Sequence, residues 1–589
     1  MTKKILILLT LLLIPILLPA VHAKQGHITL LTIAETANQT KGGTADLYLE
    51  IKQGSGRVFM DSFPSTKIDT QISTRYAKQV ACSFLERDCS NLDFFYTIRA
   101  DSNVVGGPSA SGAITVITIA MLDNLKLDNE TVMTGTINSG GIIGPVGGIK
   151  EKTEAAKEAG FKKVLIPKWS IIDIGNITNE TKNLTLNITY ADTYTRNGID
   201  VIPISNLDEA LYKFTGKTYK NYSYPIHVPK AYQKIMKSVA EKLCDRYQSI
   251  KKDIPKEVLQ NGNETRNTTE DSINKANIAI NNSEYYSAAS YCFSADTQLR
   301  TLQFSNFTNE TLKKIELDLR KKVNDLDSQL KEKPLNTLAD IETYIIAKER
   351  LTETKVYLKE NESKLLNDLG YASERFYSAI AWSTFFNYPG EKVDINNEHL
   401  KTACLSKIEE AEERLSYLEY LYRNSFHTRD EMQIAKDAYD TQDYAYCLFS
   451  ASKLKADINA ILSTASITKE KLPELVNDKL EQARIQINKQ DGKFPILGYS
   501  YYNYANNLKD SNPITSELFA EYASELSNLK MYFPKKSSKI YIDMNSATLF
   551  GGGVLAGILI TLIVIALLIG RVKTQEDSKK TRNLPRKKR

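Results

Sequence analysis

"TGTINSGGIIGPVGGIKEKTEAAKEAGFKKVLIP", residues 134–167, decides the fold. Its glycines make tight turns. "GGIKEKTEAAKEAGF" then reads as a turn, a helix and a glycine C-cap, and "KKVLIP" as the strand that follows. A glycine turn, a helix and a strand in that order belong to a mixed α/β layer. Two lysines, Lys150 and Lys152, fall in the first helical turn, where the positive end of the helix dipole disfavours cations. For a structural lysine this is a small penalty; for a catalytic base it is useful. Lysine's reference pKa is ~10.4, so about one in 2,500 is neutral at pH 7. Bringing it near 7–8 takes roughly 3–4 kcal/mol of selective destabilisation of the charged form. An apolar pocket supplies most of this, and the helix N-terminus adds up to ~1–2 kcal/mol.

Just upstream, "VGGPSASGAITVITIAML", residues 105–122, joins a Gly-Pro turn to a long apolar run with two serines at the junction. Packing alone explains most such turns. A nucleophilic serine, however, needs a base. The five histidines are His22, His27, His227, His399 and His427, and none lies between residues 28 and 226. A Ser-His-Asp site within this region is excluded, and a Ser-Lys pair remains. The N–H groups at a helix N-terminus beside the serine suit an oxyanion.

Working outward, "HITLLTIAET", "TADLYLEIKQG" and "DFFYTIRA" read as strands, and "TQISTRYAKQVACSFLERD" as a helix. "VLIP" and "IDVIPI" are short strands, and "NLDEALYKFTG" is a helix closed by Gly216. Residues 27–216 are thus an α+β domain. Residues 230–540 turn to Lys, Glu, Tyr, Asn and Ala with helical periodicity and a weak repeat. "INKANIAINNSEYYSAASYCFSAD" resembles "MQIAKDAYDTQDYAYCLFSASKLKAD" and, more loosely, "LEQARIQINKQDGKFPILGYSYYNYANNL". The expectation is an all-α region of helical hairpins or a bundle, with its tyrosines read mainly as filler between helices.

Six cysteines, an even number without C-x-x-C or Cys/His spacing, favour disulfides over a metal site. Fifteen pairings are open. Neighbours are favoured: Cys82 with Cys89, Cys244 with Cys292, Cys404 with Cys447. Residues 1–23 read as a secretory signal ending in a small-x-small site. Residues 547–570 form an uncharged run of about 36 Å as a helix, long enough for a ~30 Å hydrocarbon layer. The basic tail 571–589 then stays in the cytoplasm, and the rest is extracytoplasmic. Sequons at Asn38, Asn129, Asn176, Asn179, Asn183, Asn187, Asn221, Asn263, Asn267, Asn281, Asn306, Asn309 and Asn361 agree with export. A net charge of +6, with 25% charged residues, argues against a nucleic-acid partner. No G-x-x-x-x-G-K-[ST] occurs.

"GGPSASGAI", "MTGTINSGGIIGPVGGIKEKTEAAKEAGFKKVLIP" and "VIPISNLDEAL" together resemble the proteolytic domain of the Lon family of Ser-Lys peptidases, nearest to archaeal membrane-type members. "GSGRVFMDSFPSTKIDTQISTRYAKQVA" resembles its N-terminal half. The resemblance covers residues 27–216. It implies Ser109 as nucleophile, Lys152 as base 43 positions later, and Thr134 as the residue whose hydroxyl holds the lysine. It places the oxyanion hole at the backbone N–H groups of Ser109 and Ala110. Two departures stand out: "GGP" where an acidic residue is common before the serine, and "TGT", with Thr136, for the family's "TGE". Ser111 is the rival serine and Lys150 a solvated neighbour.

The expectation is therefore a membrane-anchored serine endopeptidase, ATP-independent for lack of a Walker motif, with no cofactor and no metal. Its substrates are unfolded or flexible exported proteins or peptides; a homo-oligomer is left open. The alternative is a non-catalytic surface adaptor that keeps the peptidase fold.

Overall fold

In the computed structural model the described residues are 24–35, 40–100, 106–174, 188–190, 194–196, 198–219, 222–358, 365–390, 396–422, 428–465, 467–490, 494–533 and 552–569. The leader expected at 1–23 and the tail at 571–589 lie outside them. Gln25–Lys535 forms one compact unit.

Its first part runs β1 (Lys24–Glu35), β2 (Thr40–Gln53), β3 (Val58–Phe63), α1 (Ile68–Phe84), β4 (Leu92–Ala100), a 3-10 turn at Pro108–Ala110 and α2 (Ser111–Leu122). Then follow β5 (Thr131–Met133), β6 (Thr136–Ile137), β7 (Ile143–Gly144), α3 (Ile149–Glu158), β8 (Lys163–Pro167), β9 (Ile171–Ile174), β10 (Ile188–Tyr190), β11 (Tyr194–Arg196), β12 (Ile199–Ile204) and α4 (Leu207–Thr215). Eight strands form one sheet in the order β11-β12-β8-β5-β1-β2-β4-β3. β1, β5, β8 and β12 run parallel as neighbours, while β2 and β4 are antiparallel.

Alternation along the central strands separates two cores. Leu30, Met133, Leu165 and Ile204 face the apolar α2, with Ala113, Ile114 and Ile117. Leu31, Val132, Val164 and Val201 face α3 through Ile149 and Ala156. Because β5 and β8 are parallel, α3 is the crossover between them, so its N-terminus lies at the C-terminal end of β5. That same end receives the turn before α2. α4 is capped by the Asn206 side chain and closed by Gly216 at φ 70°, as the sequence implies. β3 carries no comparable signal. It is an edge strand of alternating half-buried and exposed residues.

The second part is helical: α5 (Lys230–Lys252), α6 (Lys256–Asn261), α7 (Asn263–Asn281), α8 (Tyr285–Phe304), α9 (Asn309–Lys331), α10 (Leu338–Tyr357) and α11 (Leu365–Trp382). α12 (Asn397–Tyr422), α13 (Thr428–Asp440), α14 (Tyr444–Thr464), α15 (Leu472–Asn488), α16 (Ile496–Leu508) and α17 (Pro513–Leu526) complete it. The three similar stretches are helix pairs: α7–α8, α13–α14 and α15–α16. The first two share one turn geometry. Ser283 and Gln442 each adopt φ 61°, and the next N–H, of Glu284 or Asp443, returns 2.8 Å to Ala279 O or Ala438 O. This is a left-handed C-cap without glycine.

Disulfides join Cys82–Cys89, Cys244–Cys292 and Cys404–Cys447. In the latter two, the helix before a hairpin (α5 or α12) is tied to the hairpin's second helix (α8 or α14). Each hairpin is thereby tied to an earlier helix, with the short α6 standing between α5 and α7 in the first copy. A separate helix, Gly552–Ile569, has a mean hydropathy of 2.9 and is long and apolar enough to cross a membrane.

Loss of a native bridge commonly costs about 2–5 kcal/mol. Paired Cys404→Ser and Cys447→Ser substitutions are expected to lower the denaturation midpoint of the helical part by an amount in that range. Chemical denaturation followed by far-UV circular dichroism measures it.

Candidate active site

The turn before α2 is built from two directions. Gly107, at φ 98°, donates its N–H to Asp69 Oδ2 at 3.0 Å, so the first turn of α1 holds the loop. From the other side, the Ser109 carbonyl accepts the Gly135 N–H at 2.9 Å and the Thr134 hydroxyl at 3.3 Å. Gly112 N–H reaches Gly135 O at 3.0 Å. A Cβ on Gly112 would stand 2.8 Å from that oxygen, so the close approach of α2 to the end of β5 requires glycine. Ser109 itself is half-buried.

The structure separates the two serines. Ser111 is 1% exposed; its hydroxyl donates to Pro108 O at 2.6 Å and accepts from Ile137 N–H at 2.9 Å. It is spent on structure. Ser109 Oγ forms no hydrogen bond among the described residues.

The two lysines separate as well. On α3, Ile149, Lys152, Thr153 and Ala156 share the buried face at i, i+3, i+4, i+7 spacing, while Lys150 is exposed. The helix starts at Gly148, at φ 66°, where a Cβ would lie 1.9 Å from Ile33 Cδ1. The left-handed backbone here favours glycine, and a side chain would have to displace the end of Ile33. Lys152 is 2% exposed and forms neither an ion pair nor a hydrogen bond among the described residues. Burial pulls its pKa down to about 7; the Glu151 carboxylate works weakly the other way. That depression corresponds to about 5 kcal/mol against the charged form.

Thr134, Ser109 and the start of α3 therefore stand around the C-terminal end of β5. Among the described residues, Thr134 contacts Ser109 directly. No hydrogen bond joins Lys152 Nζ to Ser109 Oγ or to Thr134. The Thr134 hydroxyl donates to the serine carbonyl and keeps its lone pairs for an amine. The N–H groups of Ser109 and Ala110 sit in the 3-10 turn at the N-terminal end of α2. Thr136, at the family-divergent position, is fully buried with an unpartnered hydroxyl.

Residues without a local sequence signal also hold the site. Arg414 of α12 donates to Ile137 O at 2.8 Å and to Asn138 Oδ1 at 2.7 Å. The Tyr417 hydroxyl accepts the Gly147 N–H at 2.9 Å. Tyr76 of α1 meets Ser139 Oγ at 2.8 Å. Beneath that pair lies a buried cluster. Lys407 and Lys455 bridge Glu410 and Glu525, and the Tyr532 hydroxyl donates to Glu410. Two cations face two carboxylates, the balance a buried ion network requires. Burial pushes Glu413 up to about 7, with Arg414 opposing and Asp69 adding to the rise. The helical part thus grips the segment 137–147, which leads from β5 to Lys152. The Arg414 and Tyr417 contacts span 270 or more residues, so neither spacing nor periodicity marks them.

Comparison with known proteins bears on the first part of the chain. Residues 89–203 match the Lon protease (S16) C-terminal proteolytic domain. The archaeal Lon protease of Archaeoglobus fulgidus is 34% identical over 125 residues, covering 21% of this chain and 18% of the relative. That of Thermoplasma acidophilum is 33% identical over 125 residues, 21% of this chain and 17% of the relative. The Lon protease of Azorhizobium caulinodans is 34% identical over 106 residues, 18% and 11% respectively. The chain spans less than a fifth of the length of these curated relatives. The match supports a serine peptidase function for the region.

Arg414→Met removes both bonds to residues 137 and 138. It is expected to speed amide exchange across residues 137–147 at least tenfold, read by hydrogen–deuterium exchange with mass spectrometry. Unchanged protection there would show that Arg414 does not hold the segment.

Proposed function

Because residues 89–203 are a Lon-type proteolytic domain, we propose that the chain is a membrane-anchored serine endopeptidase working through Ser109 and Lys152 without ATP. The observation that carries this reading is the Lys152 amine: buried, without a counter-ion among the described residues, and with burial pulling its pKa down to about 7. Lys152 Nζ takes the proton of Ser109 Oγ as that oxygen attacks a peptide carbonyl carbon. The N–H groups of Ser109 and Ala110 stabilise the tetrahedral oxyanion. The protonated lysine then gives its proton to the leaving amine, an acyl-enzyme forms on Ser109, and water activated by Lys152 releases it. Thr134 orients the lysine relative to the serine.

The substrates are unfolded or flexible segments of exported or membrane proteins, which reach a serine without prior unfolding. Gly552–Ile569 is the anchor. The peptidase and the helical part face outward, and the basic tail lies in the cytoplasm.

Ser109→Ala and Lys152→Ala are each expected to abolish cleavage of unfolded casein by the full-length chain, while Lys150→Ala stays within about twofold of the parent. Retained activity in the Lys152 variant removes the dyad. Absence of serine-directed phosphonate labelling in the parent favours the adaptor.

The pH dependence has a definite sign. The amine acts only when neutral, so kcat/KM is expected to rise with pH through about 7 and level off above it. Stability follows the same proton. Between pH 7 and about 10.5 the unfolded chain holds a proton that the folded chain has released, so stability rises with pH across that window. Lys152→Met is expected to raise the thermal midpoint at pH 7 while eliminating activity. A lower midpoint would show that the amine is not held at a cost.

A further inference from the structure

The helical part encloses a cavity of about 470 Å³ between α8, α10, α11, α14, α16 and α17, built separately from the elements around Ser109. Its volume falls in the range of small-molecule sites, roughly 300–1,000 Å³. It is neither a packing fault nor an apolar void. Eight aromatic rings line it together with three cations, Arg350, Arg375 and Lys453, and one carboxylate, Glu349.

The charge is arranged, not incidental. Glu349 is shared between Arg350 and Lys453, the latter at 2.7 Å. Arg375 pairs with Glu353 from outside the lining, and its guanidinium also stands over the Phe293 ring at 5.4 Å. Asp457, beyond the wall, accepts the Tyr522 hydroxyl. Cations still outnumber carboxylates on the lining itself.

The lining presents a guanidinium and tyrosine hydroxyls as hydrogen-bonding groups. Arg350 is 6% exposed, yet its Nε–H has no partner. The hydroxyls of Tyr286 and Tyr501, both buried, form no hydrogen bond among the described residues. A guanidinium and phenolic O–H groups on a lining richer in cations than carboxylates favour an acceptor that carries negative charge. The rings define the remainder. Tyr286 meets Trp382, Tyr501 and Tyr504 edge-on, each at 5.8 Å between centroids, a wall that receives another ring at favourable angles. Ser294, exposed on α8, marks the mouth.

We infer that this cavity binds a carboxylate carried next to an aromatic ring, with the carboxylate on Arg350, Tyr286 and Tyr501 and the ring against Trp382 and Tyr504. Two sources share that chemistry: the carboxyl terminus of a peptide ending in an aromatic residue, and a free aromatic acid. The inference does not depend on the peptidase reading.

The test uses the full-length chain in lipid nanodiscs, carrying Ser109→Ala so that no probe is cleaved. Calorimetric titration compares Ala-Ala-Ala-Phe, its carboxyl-terminal amide and 3-phenylpropionate. The expected result is saturable binding of the free-acid peptide, at least tenfold weaker binding of the amide, and a change in Trp382 fluorescence on saturation. Binding of 3-phenylpropionate as tight as the peptide identifies the free acid as the ligand; binding of the peptide alone identifies the terminus. Arg350→Met should lower affinity at least tenfold. Because that change strands Glu349 and can unfold the chain, Ser294→Tyr at the solvent-exposed mouth is the second variant, with the same loss expected. Equal affinity for acid and amide, no binding of either acid, or an unaffected Ser294→Tyr variant would overturn the inference.

Discussion

A primary amine buried without a counter-charge among the described residues is the constraint around which the first half of this molecule is organised. An ordinary lysine turns toward water or finds a carboxylate, as Lys162 finds Glu130 at the surface. Lys152 does neither. Its position on the inner face of α3 goes with a helix that lies against the sheet, entered through a left-handed turn at Gly148 that favours glycine. The same geometry brings the helix start to the end of β5, where Thr134 and Gly135 already hold the carbonyl of Ser109. A dry amine, a glycine corner and a strand end are three aspects of one arrangement.

The helical part also holds that arrangement in place. The segment between β5 and α3 is rich in glycine and would be loose by composition. Arg414 and Tyr417 fix it from the helical part, and the balanced Lys407–Glu410–Lys455–Glu525 cluster supports the joint behind Tyr76. Removing one member of such a cluster leaves a buried charge, a far larger penalty than the intact network represents. The joint is therefore specific as well as strong, which suits two halves that must keep a fixed register.

What was legible in the sequence tracks with distance along the chain. The turn–helix–strand at 134–167 follows from glycine placement and a 3.6-residue period, both local. The helix pairs of the second half follow from repeated texture, and the turns at Ser283 and Gln442 show the likeness to be structural. The bridged cysteines are sequence neighbours, in line with short loops closing most readily. β3 escaped notice because an edge strand with one half-buried face carries little hydrophobic contrast. Asp69, Arg414 and Tyr417 escaped it for a different reason. Their partners lie 38, 276 or more, and 270 residues away, and no periodicity reaches so far. Within the site, the choice of Ser109 over Ser111 was made from a motif. The structure adds the physical distinction: one hydroxyl is consumed by backbone groups and the other is not.

The bond from Arg414 to Ile137 has a temporal meaning. Synthesis delivers residue 137 first and residue 414 only after 277 more peptide bonds, roughly a quarter of a minute to a minute later at ordinary rates of translation. Until then the loop leading to the buried amine lacks its clasp.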